Sequence, residues 1–231
     1  MKVTILIPTL NEEKGIGPTL DTIDRKAFAA LGWELEVLVV DGDSKDRTRE
    51  EALARGARVV VEPRRGYGRA YKEGFKAATG DVIVTGDADG TYPFERAHEF
   101  VQMLLHQELD FINCDRYGRL ETGAMSAKHL LGNWVLSTTA RILFSVRLRD
   151  SQSGMWVIRR TALDRVAFEG LSEGMAFSQE IKIEFLKSPG LKFAEVASSL
   201  RPRIGTPVLS SWHDGWGNLK GLYAMRMARR W

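Results

Sequence analysis

Asp87-Ala88-Asp89 closes the apolar run Asp81-Val82-Ile83-Val84-Thr85-Gly86. Two carboxylates two residues apart on extended backbone point to the same side. An apolar run of this length reads as a buried strand, and ligands of open α/β sheets collect beyond the carboxyl ends of such strands. Paired hard-oxygen ligands there suit a divalent cation and a diphosphate. The triplet also reads as a strand running into an Asp-Gly turn at Asp89-Gly90, and taken alone it leaves both readings open.

Two further polar segments belong to the same sheet edge: Pro8-Thr9-Leu10-Asn11-Glu12-Glu13 after the first strand, and Asp41-Gly42-Asp43-Ser44-Lys45-Asp46 after the second. Acidic groups placed there accept hydrogen bonds from the ribose hydroxyls and base of a nucleotide. Either segment alone reads equally as helix capping; three acidic loops on one edge favour a ligand. Arg64-Arg65-Gly66-Tyr67-Gly68-Arg69 follows the third strand and offers two readings, a phosphate held by amides and guanidinium groups or a turn with a solvated basic rim. It is no dinucleotide fingerprint, because Tyr71 stands where the third glycine belongs, and there is no Walker A sequence.

The elements that must position these residues alternate. Strands are expected at 3–7, 35–40, 58–61 and 81–85, with helices starting near Pro18, Asp46 and Arg69, the βαβα pattern of a mostly parallel sheet. A helix over 94–106 and a strand over 109–113 follow. The glycine- and charge-rich stretch 116–126 reads as a mobile loop, and 127–144 has the length and spacing of a helix. A strand at 155–158, a helix at 175–186 and a strand at 191–196 complete the pattern. From Arg201 onward the composition shifts, with six basic residues against Asp214 alone and with Trp212, Trp216, Tyr223 and Trp231 among them. Interfacial segments have this character. At helical spacing, however, Arg226 and Arg230 fall close to the apolar stripe of Trp216, Leu219, Tyr223 and Met227, so a tail packed on its own domain is the competing reading.

The whole chain of 231 residues suits one large α/β domain, and its net charge of +3 is concentrated in that C-terminal stretch. This favours a phosphate-rich ligand or an anionic membrane surface. Nucleic acid is not expected, because the basic residues accompany no helix-turn-helix, zinc-finger or RNA-binding signature. The single cysteine, Cys114, excludes an internal disulfide framework and fits a reducing compartment. The opening Met1 to Pro8 runs directly into a strand and does not read as a signal peptide, and no apolar stretch approaches the roughly 20 residues of a membrane span.

Taken together, Ile7-Pro8-Thr9-Leu10-Asn11-Glu12-Glu13, Val40-Asp41-Gly42-Asp43-Ser44-Lys45-Asp46, Gly66-Tyr67-Gly68-Arg69-Ala70, Ala78-Thr79-Gly80-Asp81 and Gly86-Asp87-Ala88-Asp89-Gly90-Thr91-Tyr92-Pro93 resemble the family 2 glycosyltransferases of the GT-A fold. Asp150-Ser151-Gln152-Ser153-Gly154-Met155 and Arg201-Pro202-Arg203-Ile204-Gly205 are similar to the dolichyl-phosphate mannose and glucose synthase branch. The resemblance implies a single Rossmann-like GT-A domain over 1–210, its mostly parallel mixed sheet flanked by helices. A nucleotide-sugar and metal half would cover 1–115, an acceptor half 116–210, and a basic tail 211–231. It implies a nucleotide-sugar donor contacted by Pro8, Thr9, Asn11, Glu12 (ribose), Asp41 (base), Asp43, Arg69, Asp87 and Ala88, with Mg²⁺ or Mn²⁺ on Asp87 and Asp89.

On the acceptor side the resemblance implies a polyprenyl or dolichyl phosphate, met by Arg116, Lys128, His129, Gln152, Ser153, Glu180 and Arg203, with Asp89, Arg116 and Arg203 as the catalytic set. Such an acceptor is already largely ionised at neutral pH, its second pKa being about 6, so cations rather than a strong base are required. A soluble hydroxyl acceptor is the alternative, and it would need Asp150 or Glu180 as base. The expected location is the cytoplasmic face of a membrane, held peripherally. Two departures from the branch stand out: Thr91 occupies a position where the mannose synthases often carry glutamine, and the stretch around Lys128 lacks the usual arginine. They leave the donor sugar and the acceptor specificity open.

Overall fold

A computed structural model describes residues 1–206 and 211–228. The chain runs β1 (Lys2–Thr9), α1 (Ile16–Asp21), α2 (Arg25–Ala30), β2 (Glu34–Asp41), α3 (Thr48–Ala54), β3 (Arg58–Val61), α4 (Tyr67–Ala77) and β4 (Val82–Thr85). It continues through a 3-10 turn, α5 (Ala97–His106), β5 (Phe111–Leu120), α6 (Ala127–Phe144), β6 (Trp156–Arg159), α7 (Arg160–Leu163), α8 (Phe177–Lys187), β7 (Phe193–Leu200) and α9 (Ser211–Ala228). The strands form one sheet in the order β3-β2-β1-β4-β6-β5-β7. β3, β2, β1 and β4 are parallel, β6 runs antiparallel between β4 and β5, and β5 is parallel to β7.

Period-two alternation explains the layering. Val3, Ile5 and Ile7 of β1 face one core with Phe28, Phe94 and Phe100, whereas Leu6 faces the other with Leu38, Tyr71, Phe75, Trp156 and Phe177. Helix starts follow local chemistry: the Asp24 carboxylate accepts from Ala27 N, and the Ser126 hydroxyl accepts from His129 N.

Two expectations are corrected. The stretch 116–126 is no loop at its start, because β5 continues to Leu120, pairing with β7 on either side of a bulge between Asp115 and Arg119. Gly118 lies where a Cβ would be 2.7 Å from the Ala197 Cβ, so the glycine that suggests a loop serves close strand contact. The proposed division at 115/116 therefore falls inside a strand. The C-terminal segment, for which an interfacial and a packed reading stood side by side, carries α9, which lies on α6 and α8 through buried Asn218, Leu222 and Met225. Of the expected stripe, Trp216, Tyr223 and Met227 face outward at 64%, 51% and 86% exposure, and Leu219 is half-buried. Arg229, Arg230 and Trp231 lie outside the described residues, as does the side chain of Trp212.

Candidate active site

The loops leaving β1, β2 and β4, the middle of β5 at Arg116 and the turn entering antiparallel β6 meet at one sheet edge. Asp89, buried in the turn after β4, accepts from Thr91 N at 3.1 Å and Thr91 Oγ1 at 2.6 Å on one oxygen, and from Arg203 Nη1 at 2.8 Å on the other. Arg203 also forms an ion pair with Glu12. The segment carrying it is laid across the β4 turn by Arg201 N donating to Thr91 O and Ile204 N to Asp89 O, at 3.0 and 2.8 Å. Burial raises the Glu12 carboxyl despite that guanidinium.

Asp87 differs. No hydrogen bond or ion pair among the described residues engages its carboxylate; burial first, then the neighbouring Asp89 charge, push it up to about 7. It packs against Gly154, where a Cβ would sit 3.0 Å from Asp87 Oδ1. Two adjacent hard-oxygen groups, one with free lone pairs, fit a Mg²⁺ or Mn²⁺ ion. Among the described residues no group of three His, Cys, Asp or Glu could enclose a metal by itself, so further ligands would come from water or a diphosphate. Ala88 is buried in the core and offers a ligand only its backbone. Gly15, where a Cβ would come within 2.5 Å of Ala88 O, lets the β1 loop close on this turn.

The first two acidic loops are pinned to one another. Asn11 N donates to Ser44 Oγ and Lys45 N to Asn11 Oδ1, both at 2.8 Å; Glu12 N donates to Thr48 Oγ1 at 2.8 Å, and Glu13 N to Asp46 Oδ2 at 3.2 Å. Asn11 and Asp43 adopt left-handed backbone at φ 54° and 63°, which asparagine and aspartate tolerate. Asp41 is fully buried and accepts from Thr9 Oγ1, Ser44 N and Ser44 Oγ. Pro8 precedes Thr9 at the half-buried end of β1. Asp43 is half-buried and paired with Lys45 and, more distantly, Arg49.

Around the third loop, Gly68 N and Arg69 N donate to Gly174 O and Glu173 O, Arg69 pairs with Glu173, and Arg64 with Glu62. Two of the amides of this segment, Gly68 N and Arg69 N, and the Arg69 guanidinium thus have protein partners.

On the other side of the edge, Arg116 and Asp150 form a buried bidentate pair with both contacts at 2.7 Å. Burial works to raise the Asp150 carboxyl, and Arg116 outweighs it, holding it below its ordinary value. Glu195 backs this pair by accepting from Asp150 N at 3.0 Å. Ser153 is buried with its hydroxyl on Cys114 O at 2.7 Å. Gln152 donates to Gln179 Oε1 and accepts from Asn218 Nδ2, joining the turn to α8 and α9. Glu180 is buried and accepts from Ser172 N and Ser172 Oγ, both at 2.6 Å. Lys128 and His129 lie exposed in the first turn of α6.

Sequence reasoning did not find Thr91 as the group that orients Asp89, nor Tyr92, whose hydroxyl accepts from Gly154 N at 2.6 Å. It also passed over Lys182, buried behind the turn before β6. The Tyr92 signal was available in the aromatic two residues before a 3-10 turn; a lone lysine in a helix carries no such mark.

The family model described as glycosyl transferase family 2 matches residues 4–167. The low-salt glycan biosynthesis hexosyltransferase Agl6 of Haloferax volcanii is 33% identical over 220 residues, covering 94% of this chain and 52% of that protein. A dolichyl-phosphate hexose transferase of the same organism is 33% identical over 215 residues, covering 92% and 89%. The chain therefore spans about half the length of the first relative and most of the second. Among solved structures, glucosyl-3-phosphoglycerate synthase from Mycobacterium tuberculosis, in complex with Mn²⁺, UDP-glucose and phosphoglyceric acid, superposes with a TM-score of 0.74 at 20% identity. The match covers 98% of this chain and 80% of that one. At that identity the likeness is one of fold.

Proposed function

The chain belongs to glycosyl transferase family 2, and from that membership we propose that it transfers a hexose from a nucleotide diphosphate sugar to a polyprenyl or dolichyl phosphate, with inversion and with Mg²⁺ or Mn²⁺ as cofactor. The observation that carries the choice of acceptor is the engagement of Asp150 and Glu180. A hydroxyl acceptor would call on one of them as base, yet Asp150 is locked to Arg116 and Glu180 to Ser172. A phosphate acceptor arrives ionised and needs neither.

Asp87 and Asp89 would hold the cation, which, when bound, stabilises negative charge on the departing diphosphate. Glu12 and Asp41, with Asp43, Asn11, Thr9, Pro8 and the Ala88 backbone, form the donor side. Arg203 is the partner of both Glu12 and Asp89; occupation of those carboxylates by donor and cation frees its guanidinium to face the acceptor phosphate. Arg116, oriented by Asp150, would present to the phosphate the guanidinium nitrogen that this pair leaves unused, and Lys128 and His129, exposed at the start of α6, would add further cations on the acceptor side.

Membrane association at the cytoplasmic face is part of the same reading. No described helix is long and apolar enough to cross a membrane. Leu131, Trp134, Val135 and Ile142 of α6 are exposed, as are Trp216, Tyr223 and Met227 of α9, with Arg141, Lys220 and Arg226 exposed on the same two helices. Apolar and aromatic groups interleaved with cations suit an anionic lipid surface.

The deciding assay is nucleoside diphosphate release from GDP-mannose, UDP-glucose and UDP-N-acetylglucosamine with Mg²⁺ or Mn²⁺, each with and without a short polyprenyl phosphate. Release that depends on the lipid is expected and names the donor. Turnover indifferent to the lipid would replace the acceptor by a soluble one, and unchanged turnover in Asp89→Ala would remove the metal assignment.

A further inference from the structure

Building on the transfer reading above, we infer that Lys182 is a positioning residue for the acceptor side: its ammonium group, from inside the core, fixes the turn over residues 150–154 so that Asp150 holds Arg116 in place. Lys182 sits in the middle of α8 with no exposed surface. A buried amine loses its hydration, so its hydrogen bonds must all be replaced. Nζ donates to Ser153 O at 2.6 Å, Ser151 O at 2.8 Å and Ser178 Oγ at 3.0 Å, and it lies 5.2 Å from the centroid of the Trp156 ring. Three donors meet three oxygens, and no carboxylate among the described residues lies within ion-pairing distance of Nζ.

Two of those oxygens are main-chain carbonyls, of the Ser151–Gln152 and Ser153–Gly154 peptides, so the ammonium fixes both of those planes within the turn. The same turn points its working groups the other way. Asp150 accepts from Arg116 N, Nε and Nη2 and from Gln152 N, while Gly154 donates to Tyr92 Oη and packs on Asp87. Trp156 Nε1 and Ser178 Oγ also donate to Ser153 O, at 2.7 and 3.1 Å, so the ammonium completes a cage around one carbonyl. An apolar residue of similar volume would fill this space without desolvating a charge; what it would lack is the grip on both carbonyls.

The test is Lys182→Met, which keeps the aliphatic stem and removes the donors. The acceptor KM is expected to rise tenfold or more, with the donor KM and the Mn²⁺ affinity within twofold of wild type. A fall in kcat with both KM values unchanged would mean only a smaller folded fraction, and would overturn the inference. Hydrogen exchange on the chain without substrates gives a second readout. Exchange at the amides of Arg116, Gln152 and Gly154 should accelerate at least tenfold while those of β1 and β2 stay unchanged, and equal exchange in the two proteins overturns the inference whether or not the chain transfers a sugar. If Lys182→Met does not fold, Ser178→Ala removes one of the three acceptors and should move both readouts about threefold in the same directions; no movement overturns it. A wild-type chain inert toward every nucleotide sugar would defeat the transfer reading, and the exchange result would still decide whether Lys182 holds the turn.

Discussion

Removing the Asp150 carboxylate tests the proposed acceptor side at its buried ion pair. Asp150 has no exposed side-chain surface and Arg116 has 11%. One carboxylate oxygen accepts from Arg116 Nε and N at 2.7 and 3.1 Å; the other accepts from Arg116 Nη2 and Gln152 N at the same two distances. In Asp150→Ala the guanidinium stays in place without its counter-charge, a situation that costs about 3–5 kcal/mol. For a chain of this size each kcal/mol displaces Tm by about 2–4 °C, so a fall of roughly 6–20 °C is expected.

Replacing both partners, Arg116→Met with Asp150→Leu, removes the stranded charge and should recover most of the loss. Glu99→Ala is the control, since it breaks the Arg96–Glu99 pair in which both side chains are nearly half exposed; a cost of at most about 1 kcal/mol is expected there. Thermal unfolding of the four proteins completes the comparison. A Tm for Asp150→Ala within about 2 °C of wild type, or a double variant no better than the single, would refute the description of a desolvated pair.

Arg203→Ala should slow lipid-dependent transfer at least tenfold while tightening Mn²⁺ binding in the absence of lipid, because the guanidinium no longer competes for Asp89; calorimetric titration with Mn²⁺ reads this, and weaker binding would contradict it. Glu36 contributes an acid-sensitive term. Burial opposes its ionisation, but Thr4 Oγ1, Thr79 N and Arg58 outweigh that and lower it to about 2. A carboxyl lowered on folding gives stability that is full above about pH 4.5 and lost as pH falls toward 2. Glu36→Gln should therefore flatten that limb of the stability curve by about 1–2 kcal/mol after allowance for solvent screening, and an unchanged limb in urea titrations at pH 2–5 would contradict it. Ile142→Asp and Trp134→Glu, on the exposed face of α6, should leave Tm within about 2 °C and abolish co-sedimentation with vesicles of anionic phospholipid; retained binding would exclude this face as the contact.

The sheet edge with the acidic loops was legible because strand periodicity and acidic loops speak locally: the βαβα alternation, Asp87 and Asp89 can all be read within short windows. Their partners were not. Arg203 reaches Glu12 and Asp89 from the far end of the chain, and a basic residue in a polar stretch gives no sign of which carboxylates it will meet. Residues 116–120 read as a loop because Arg116, Gly118 and Arg119 break the strand pattern, whereas parallel pairing with β7 overrides local propensity. In α9 two apolar faces compete in the sequence. Gly221 decides between them, because a Cβ there would lie 2.6 Å from the Ala176 Cβ, so the helix can approach closely only on the side of Leu222 and Met225.

The position of β6 bears on how the chain assembles during synthesis. β4 is flanked by β1 and by a strand that emerges more than seventy residues later, and β5 pairs only with β6 and β7. Until residue 159 has left the ribosome, the first four strands therefore carry, besides the lasting outer edge of β3, a bare edge at Val82–Thr85, and the fifth strand has nowhere to dock. Such edges template association between chains. A fragment ending near residue 115, although it holds every acidic loop, should accumulate as aggregate, because β4 and β5 find their missing partners only in the second half of the chain.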